Sequence, residues 1–306
     1  MLPKIPFRFK SYLVSHMVAL SLFIYALGNA YLLKYFFDNF LELINFLNLA
    51  YMYLSLLSNL FLVAVLFILS FDLSISSSHL SGRHFIQVAL ILSSCGISLM
   101  PSIIVILNSW VFQTFRVIGM LDLTLMAFRI WVLIFAGIML LKKASFIREI
   151  YLIIAGFGIL NALELIKEIA FSFSFYLTYP SISQLKWLIS YLLGDVLLII
   201  SFGAVSCFFL KLFRRKMFDE ILVPSYIVIA VIIYGFLLLY SGFSIWYRGS
   251  LIFSLLEMIQ GALIMLFSIY LSKGKIDIRL FSIFTLILML QLFRPQVMIN
   301  LSYLQL

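Results

Sequence analysis

Long apolar runs, separated by short polar or charged stretches, make up most of this 306-residue chain. A helix that crosses the hydrocarbon core of a bilayer needs about 20 predominantly apolar residues. Nine runs meet that requirement, covering residues 12–36, 46–70, 85–110, 117–141, 149–172, 187–210, 221–243, 249–272 and 280–304. The pattern predicts an all-α, polytopic integral membrane bundle of about nine transmembrane helices, forming a single domain over residues 1–306.

The basic residues alternate between the connections in a way that predicts sidedness. Fourteen of the 21 Lys and Arg residues fall before the first span or after an even-numbered span, whereas four fall in the other connections. Because Lys and Arg concentrate in cytoplasmic loops, this asymmetry predicts a cytoplasmic N-terminus and, with nine spans, an extracytoplasmic C-terminus. Trp110, Trp187 and Trp246 then lie at outer span ends, where amphipathic rings prefer the headgroup layer.

Composition agrees with a membrane protein and argues against other classes. Hydrophobic residues make up 65% of the chain, charged residues 11%, and the mean hydropathy is +1.19. The formal charge of +9 comes from clusters between apolar runs, as expected of cytoplasmic loops rather than of a nucleic-acid-binding surface. The lipid bilayer is therefore the expected partner, nucleic acid is not, and the expected localisation is the cell membrane, as a multi-pass protein.

Ionisable side chains inside the predicted spans are the main candidates for function. The segment NALELIKEIAF, residues 161–171, carries Glu164, Lys167 and Glu168 on one helix face. A charge at the bilayer centre costs about 2.5–3.5 kcal/mol, so such side chains are expected to face the bundle interior or water. The predicted sidedness places nearly all of them in the outer half of the membrane. The other charged residues within spans are Asp122, Arg129, Asp195, Glu257 and Arg294.

Three interpretations of this buried charged network remain open. It could form a polar chamber, open to the outside, that holds a proton path, an ion or the head group of a quinol. It could instead consist of structural ion pairs that fix helix register, with Arg129 bound to Asp122 and Arg294 bound to Glu257 or Asp195. A third possibility is that the charges receive a helix of another subunit.

Cofactor and catalytic motifs give no positive signal. His16 and His84 both lie near predicted cytoplasmic span ends, so an axial haem pair is conceivable, but bundle cytochromes often carry two histidines per helix several turns apart, and no helix does so here. We therefore expect no haem on this chain and no metal site. The sequence also has no lipase-type, zincin or P-loop motif, so it predicts no catalytic residues by itself.

The stretches SYLVSHMVAL, SSSHLSGRH and NALELIKEIAF, with the Ile, Leu, Phe, Ser and Tyr bias, resemble membrane proteins of thermoacidophilic archaea. In size and nine-span layout the chain is similar to the hydrophobic partner subunit of archaeal b-type respiratory cytochromes. The resemblance implies a non-catalytic anchor within an electron-transfer complex of the respiratory chain. It also implies that haem b sits on an extracytoplasmic partner subunit and that a quinol or proton site lies in the outer half of the membrane. The alternative is a secondary transporter for a small solute or ion, which would use buried carboxylates, Asp195 and Glu257 especially, as coupling sites.

Overall fold

The protein is built from membrane-length helices with short connections and a small β-ribbon. The computed structural model describes residues 7–38, 49–75, 80–108, 116–143, 148–178, 180, 182–215, 220–247, 251–272 and 275–291. The helices within these ranges are α1 (Phe7–Asp38), α2 (Leu49–Ile75), α3 (Gly82–Asn108), α4 (Arg116–Lys143), α5 (Glu149–Thr178), α6 (Ile182–Arg215), α7 (Ser225–Tyr247), α8 (Leu251–Leu271) and α9 (Ile278–Gln291). The strands are β1 (Glu220–Leu222) and β2 (Lys275–Asp277).

The predicted class of polytopic helical membrane protein is confirmed. Among the described residues, eight helices are long and apolar enough to cross a membrane. The ninth, α9, is apolar over 278–290, and the rest of the ninth predicted span, residues 292–304, lies outside the described residues. Which end of the bundle faces the cytoplasm stays a prediction from the basic residues.

The first eight helices form a closed ring. Each of them packs against the next along the chain, and α8 returns to pack against α1. Antiparallel neighbours are what short connections between membrane-spanning helices produce. The ring leaves α9 on the inside, where its backbone approaches α1 and α5.

Helix α9 is a central helix that is apolar on all sides. Every described side chain from Leu280 to Leu290 is buried, which is the pattern of a helix enclosed by other helices. Phe281 stacks on Phe209 of α6 with ring centroids 5.9 Å apart, and the ring of Phe284 lies 4.0 Å from that of Phe267 in α8. Helix α9 therefore also contacts α6 and α8 through its side chains.

Two tyrosines fix the outer part of α9 by hydrogen bonds to its backbone. Tyr234 of α7 donates its hydroxyl to the Leu288 carbonyl at 3.0 Å, and Tyr25 of α1 donates to the Leu290 carbonyl at 3.4 Å. Inside α9, the hydroxyls of Ser282 and Thr285 bond back to carbonyls four residues earlier. These hydroxyl and carbonyl groups of α9 therefore have hydrogen-bond partners within the protein.

The β-ribbon joins two connections that the sequence places on the same side of the membrane. Strand β1 follows α6 and strand β2 precedes α9, and they pair antiparallel with Ile221 opposite Ile276. Both of these isoleucines are buried, whereas Leu222 is exposed, as expected from the alternation of side chains along a strand. Paired strands must lie at the same end of the bundle. The ribbon therefore agrees with successive connections that alternate between the two sides of the membrane.

Several helix ends differ from the predicted spans for physical reasons. Helix α5 continues to residue 178 rather than ending at 172, because polar groups near its end are satisfied locally; Thr178 donates to the Ser174 carbonyl at 2.8 Å. Helix α7 begins at Ser225 rather than at 221, because a residue that precedes a proline disfavours helical geometry and Pro224 stands directly before the helix.

Candidate functional site: a buried charge network between α4 and α5

Five of the charged residues singled out from the sequence meet at the interface of α4 and α5. The ammonium of Lys167 lies 2.9 Å from a carboxylate oxygen of Asp122 and 3.3 Å from one of Glu168, and it also bonds Glu164. The guanidinium of Arg129 lies 3.7 Å from the second Glu164 oxygen. Lys167 therefore bridges three carboxylates, and the network as a whole carries a net charge of −1.

Helical spacing explains why these side chains meet. Asp122 and Arg129 are seven residues apart and share a face of α4, while the three charged residues of α5 share another at i, i+3 and i+4. The two helices run antiparallel, so the residue nearer the outer end of α4, Asp122, meets Lys167, and the deeper one, Arg129, meets Glu164. The ion pair expected between the two α4 residues is thus replaced by two pairs across the interface.

The members of the network differ in burial. The side chains of Arg129 and Lys167 are only 2% and 8% exposed. Two of the acids reach the surface of the isolated chain, with Asp122 at 23% and Glu168 at 46% exposed side-chain area. A molecule that approaches the network from outside the chain therefore meets carboxylate oxygens, while the cations stay behind them.

The network extends from mid-depth toward the predicted outer end of the helices. Arg129 and Glu164 lie at the midpoints of α4 and α5. With a rise of about 1.5 Å per residue, Lys167 lies about 5 Å and Asp122 about 11 Å farther out. The extra length of α5 accordingly places Glu164 at mid-depth, whereas the predicted spans put it nearer the outer surface.

Asp195 of α6 adds a further acid next to the network. It is half-buried. Ser206 of α6 donates to the Ala155 carbonyl of α5 at 3.0 Å, and Asp195 and Glu168 stand at nearly equal distances along their helices from that contact. None of the ion pairs among the described residues includes Asp195. Two carboxylates thus lie near one level on neighbouring helices, without a shared cation from the described part of the chain.

Glu257 lies apart from this network, on α8. Its side chain is buried, and Gln260, one turn farther along the helix, is also buried. The Gln260 side-chain nitrogen and that of Asn161, one turn before Glu164, have no hydrogen-bond partner among the described residues. Because buried N–H groups are normally bonded, each marks a place where an acceptor is expected.

Three carboxylates nevertheless lie at nearly the same height along the bundle. The ring contacts of Phe284 and Phe281 with α8 and α6 set the relative heights of these helices. Counted from those contacts at about 1.5 Å per residue, Glu257 and Asp195 both lie about 15 Å from Phe284 toward the predicted outer end of the bundle. Glu164 reaches nearly the same height, counted from the approach of Gly158 to Met289.

His84 belongs to a separate polar cluster at the other end of the bundle. His84 caps α3: its ring Nδ1 lies 2.9 Å from the backbone nitrogen of Ser81, which donates to it. Asp72 of α2 accepts a hydrogen bond from Gln87 at 2.5 Å and pairs with Arg83 at 3.1 Å. His16 lies on α1 and is partly buried.

The structure therefore groups some predicted residues and separates others. It joins Asp122, Arg129, Glu164, Lys167 and Glu168, sets Asp195 beside them, and leaves Glu257 on α8. Arg294 lies outside the described residues, so its pairing stays a prediction. Sequence reasoning missed Asp72, Asn161 and Gln260; neutral amides in an apolar run give a weaker hydropathy signal than charges, and Asp72 lies just beyond a predicted span end.

Comparisons of the chain with protein families, with curated proteins and with solved structures found no match.

Proposed function

We propose that this chain is a non-catalytic membrane subunit that anchors a respiratory cytochrome complex in the cell membrane. In that role it contributes a proton or quinol site in the outer half of the membrane. The resemblance described above motivates the choice of complex. The observation that carries the proposal is the half-exposed carboxylate of Glu168, near the level of Asp195, on helices that cross the membrane.

The energetic argument concerns what covers these carboxylates. A charge that faced lipid at this depth would cost about 2.5–3.5 kcal/mol. Two of them on one surface are therefore evidence for water, a polar ligand or another protein against that surface. In an anchor subunit with an adjoining quinol site, the partner subunit, the quinol head group and water would cover these carboxylates.

The chemistry assigned to the site is proton acceptance. When a quinol is oxidised it releases two protons and two electrons, and hydrogen-bond acceptors beside its hydroxyls take up the protons. Here Glu168 and Asp195 would accept them, while Lys167 and Arg129, buried behind, hold the carboxylate side chains in position. A haem on the partner subunit would take up the electrons, so this chain would need no haem of its own.

The test is quinol oxidation by the purified complex. We expect Glu168→Gln and Asp195→Asn each to lower turnover by at least about tenfold, as loss of a proton acceptor commonly does. Leu193→Ala, an exposed apolar residue two positions from Asp195, serves as the matched control and keeps normal turnover. If both carboxylate variants turn over normally and lose only thermal stability, the charges are structural and the proposal fails.

A second candidate function is a secondary transporter. It is favoured by the common level of Glu164, Asp195 and Glu257 along the bundle, because transporters bind substrate and coupling ions near the membrane centre. In that case purified protein in liposomes would move protons or a solute without any partner, and Glu257→Gln would abolish the movement. The anchor subunit would do neither.

A further inference from the structure

The outer halves of α5 and α6 form a surface that the described helices leave open. Of the described side chains from Glu168 to Thr178 and from Leu192 to Ile200, none is buried. We call the part of it around the two acids the outer carboxylate face. It consists of Glu168, Phe171 and Ser172 on α5 and Leu192 and Asp195 on α6.

Among the described residues, the charge on this face is negative and incompletely balanced. Glu168 has the Lys167 ammonium at 3.3 Å, but that ammonium is shared with two other carboxylates. Asp195 lies near the level of Glu168, a group of the same sign, as the contact between Ser206 of α6 and Ala155 of α5 indicates. A positive charge placed between the two acids from outside the chain would complement both.

The occupant must also suit the apolar side chains around the acids. Phe171 packs on Phe175 one turn farther out, with ring centroids 6.2 Å apart, and Leu192 lies one turn outward of Asp195 and is exposed. A membrane helix with one basic side chain among apolar ones matches this arrangement, because it covers the apolar groups along its length and meets the acids at one position.

A second copy of this chain does not supply such a helix from its described spans. Within them, the basic residues far from the helix ends are Arg129 and Lys167, and both are buried. The exposed basic residues of the described helices, such as Lys34, Arg116 and Lys211, lie at or near helix ends. A helix of a different polypeptide can supply that charge. If Arg294, which lies outside the described residues, supplied it instead, no other polypeptide would need to cover the face.

We propose that a transmembrane helix of a different polypeptide docks on the outer carboxylate face and places a Lys or Arg side chain between Glu168 and Asp195. The inference rests on the proposed function only in that the chain is one subunit of a larger membrane complex. Neither haem nor quinol takes part in it.

Photo-crosslinking in native membranes tests this contact. A benzoylphenylalanine at Ser172 or Leu192, each one turn from an acid of the face, is expected to capture a second polypeptide. The captured peptide should map to a transmembrane helix, within one turn of a Lys or Arg. The control is the same probe at Phe236, an exposed residue at the midpoint of α7, where the yield of that product should be at least about tenfold lower.

Charge variants separate specific docking from mere proximity. The pair Glu168→Gln and Asp195→Asn should lower the crosslinking yield about tenfold, as expected when a buried charge pair is lost. Asp195→Lys combined with replacement of the partner's base by Asp should restore it. The inference would be overturned by capture of a second copy of this chain, by capture away from any basic residue, or by no capture at all. A crosslinking yield that stays the same in the charge variants would also overturn it.

The outcome also separates this inference from the proposed function. A captured partner that has a basic helix but no haem supports the docking surface and contradicts the cytochrome assignment. Haem that copurifies with a partner crosslinked only elsewhere contradicts the docking surface and leaves the cytochrome assignment standing.

Discussion

Replacing Lys167 by Met removes the single cation that bridges three carboxylates. The ammonium lies 2.9 Å from Asp122 and 3.3 Å from Glu168, and it bonds Glu164 as well. Without it, Arg129, 3.7 Å from Glu164, is the cation that remains beside the three acids among the described residues. Removing one partner of a buried ion pair typically costs about 3–5 kcal/mol, because the other charge stays buried.

The assay uses the buried thiol of Cys95 as a reporter of unfolding. In a Cys207→Ser background, which removes the exposed thiol, a thiol-reactive dye labels the protein only when the bundle opens. We expect Lys167→Met to lower the unfolding temperature by roughly 5–10 °C, since each kcal/mol shifts a chain of this size by about 2 °C. Methionine fills most of the volume of the lysine stem, so packing is largely kept.

A double variant distinguishes charge from packing. Adding Asp122→Asn to Lys167→Met restores the net charge of −1 and removes one of the three opposed acids, while Glu164 stays in place to pair with Arg129. The double variant should therefore regain at least about 1 kcal/mol, the scale of coupling between contacting residues. A single variant as stable as the parent, or a double variant less stable than the single, would refute the assignment of Lys167 as the bridging cation.

Three further predictions concern packing and sidedness. Gly261→Ala should destabilise the protein by about 1–3 kcal/mol, because its new Cβ would lie 2.6 Å from the Gly235 carbonyl oxygen; Gly203→Ala, with open space at that position, is the control and should be neutral or stabilising in thermal melts. Tyr234→Phe should cost about 0.6 kcal/mol in the same melts, the average for a hydrogen bond between membrane helices. A cysteine at Lys211, in a background without native cysteines, should react with impermeant reagents only from the cytoplasmic side; labelling from outside would reverse the predicted orientation.

The class of the protein and the order of its helices follow from the sequence because both depend on apolar length. Bundle topology does not, since hydropathy says nothing about which helix lies inside. Helix α9 illustrates this: its composition resembles that of the outer helices, and only its contacts with residues such as Phe267 and Phe209 reveal that it is central. The β-ribbon was also out of reach, because three-residue strands such as 220–222 are too short to give a pattern.

The candidate site was partly predictable for a similar reason. Charges in an apolar run stand out, and helical spacing indicates that Glu164, Lys167 and Glu168 share a face. Which residues pair across helices depends on the relative height of α4 and α5, which spacing within one helix cannot fix. Arg129 was therefore expected beside Asp122, whereas the structure pairs it with Glu164.

The most direct test of the proposed function is purification of the tagged protein from its native membrane in a gentle detergent. A reduced-minus-oxidised visible spectrum and mass spectrometry are then recorded on the same sample. The account predicts a b-type haem signal that travels with a second polypeptide in fixed ratio. A colourless protein that purifies alone would contradict the anchor assignment and favour transport.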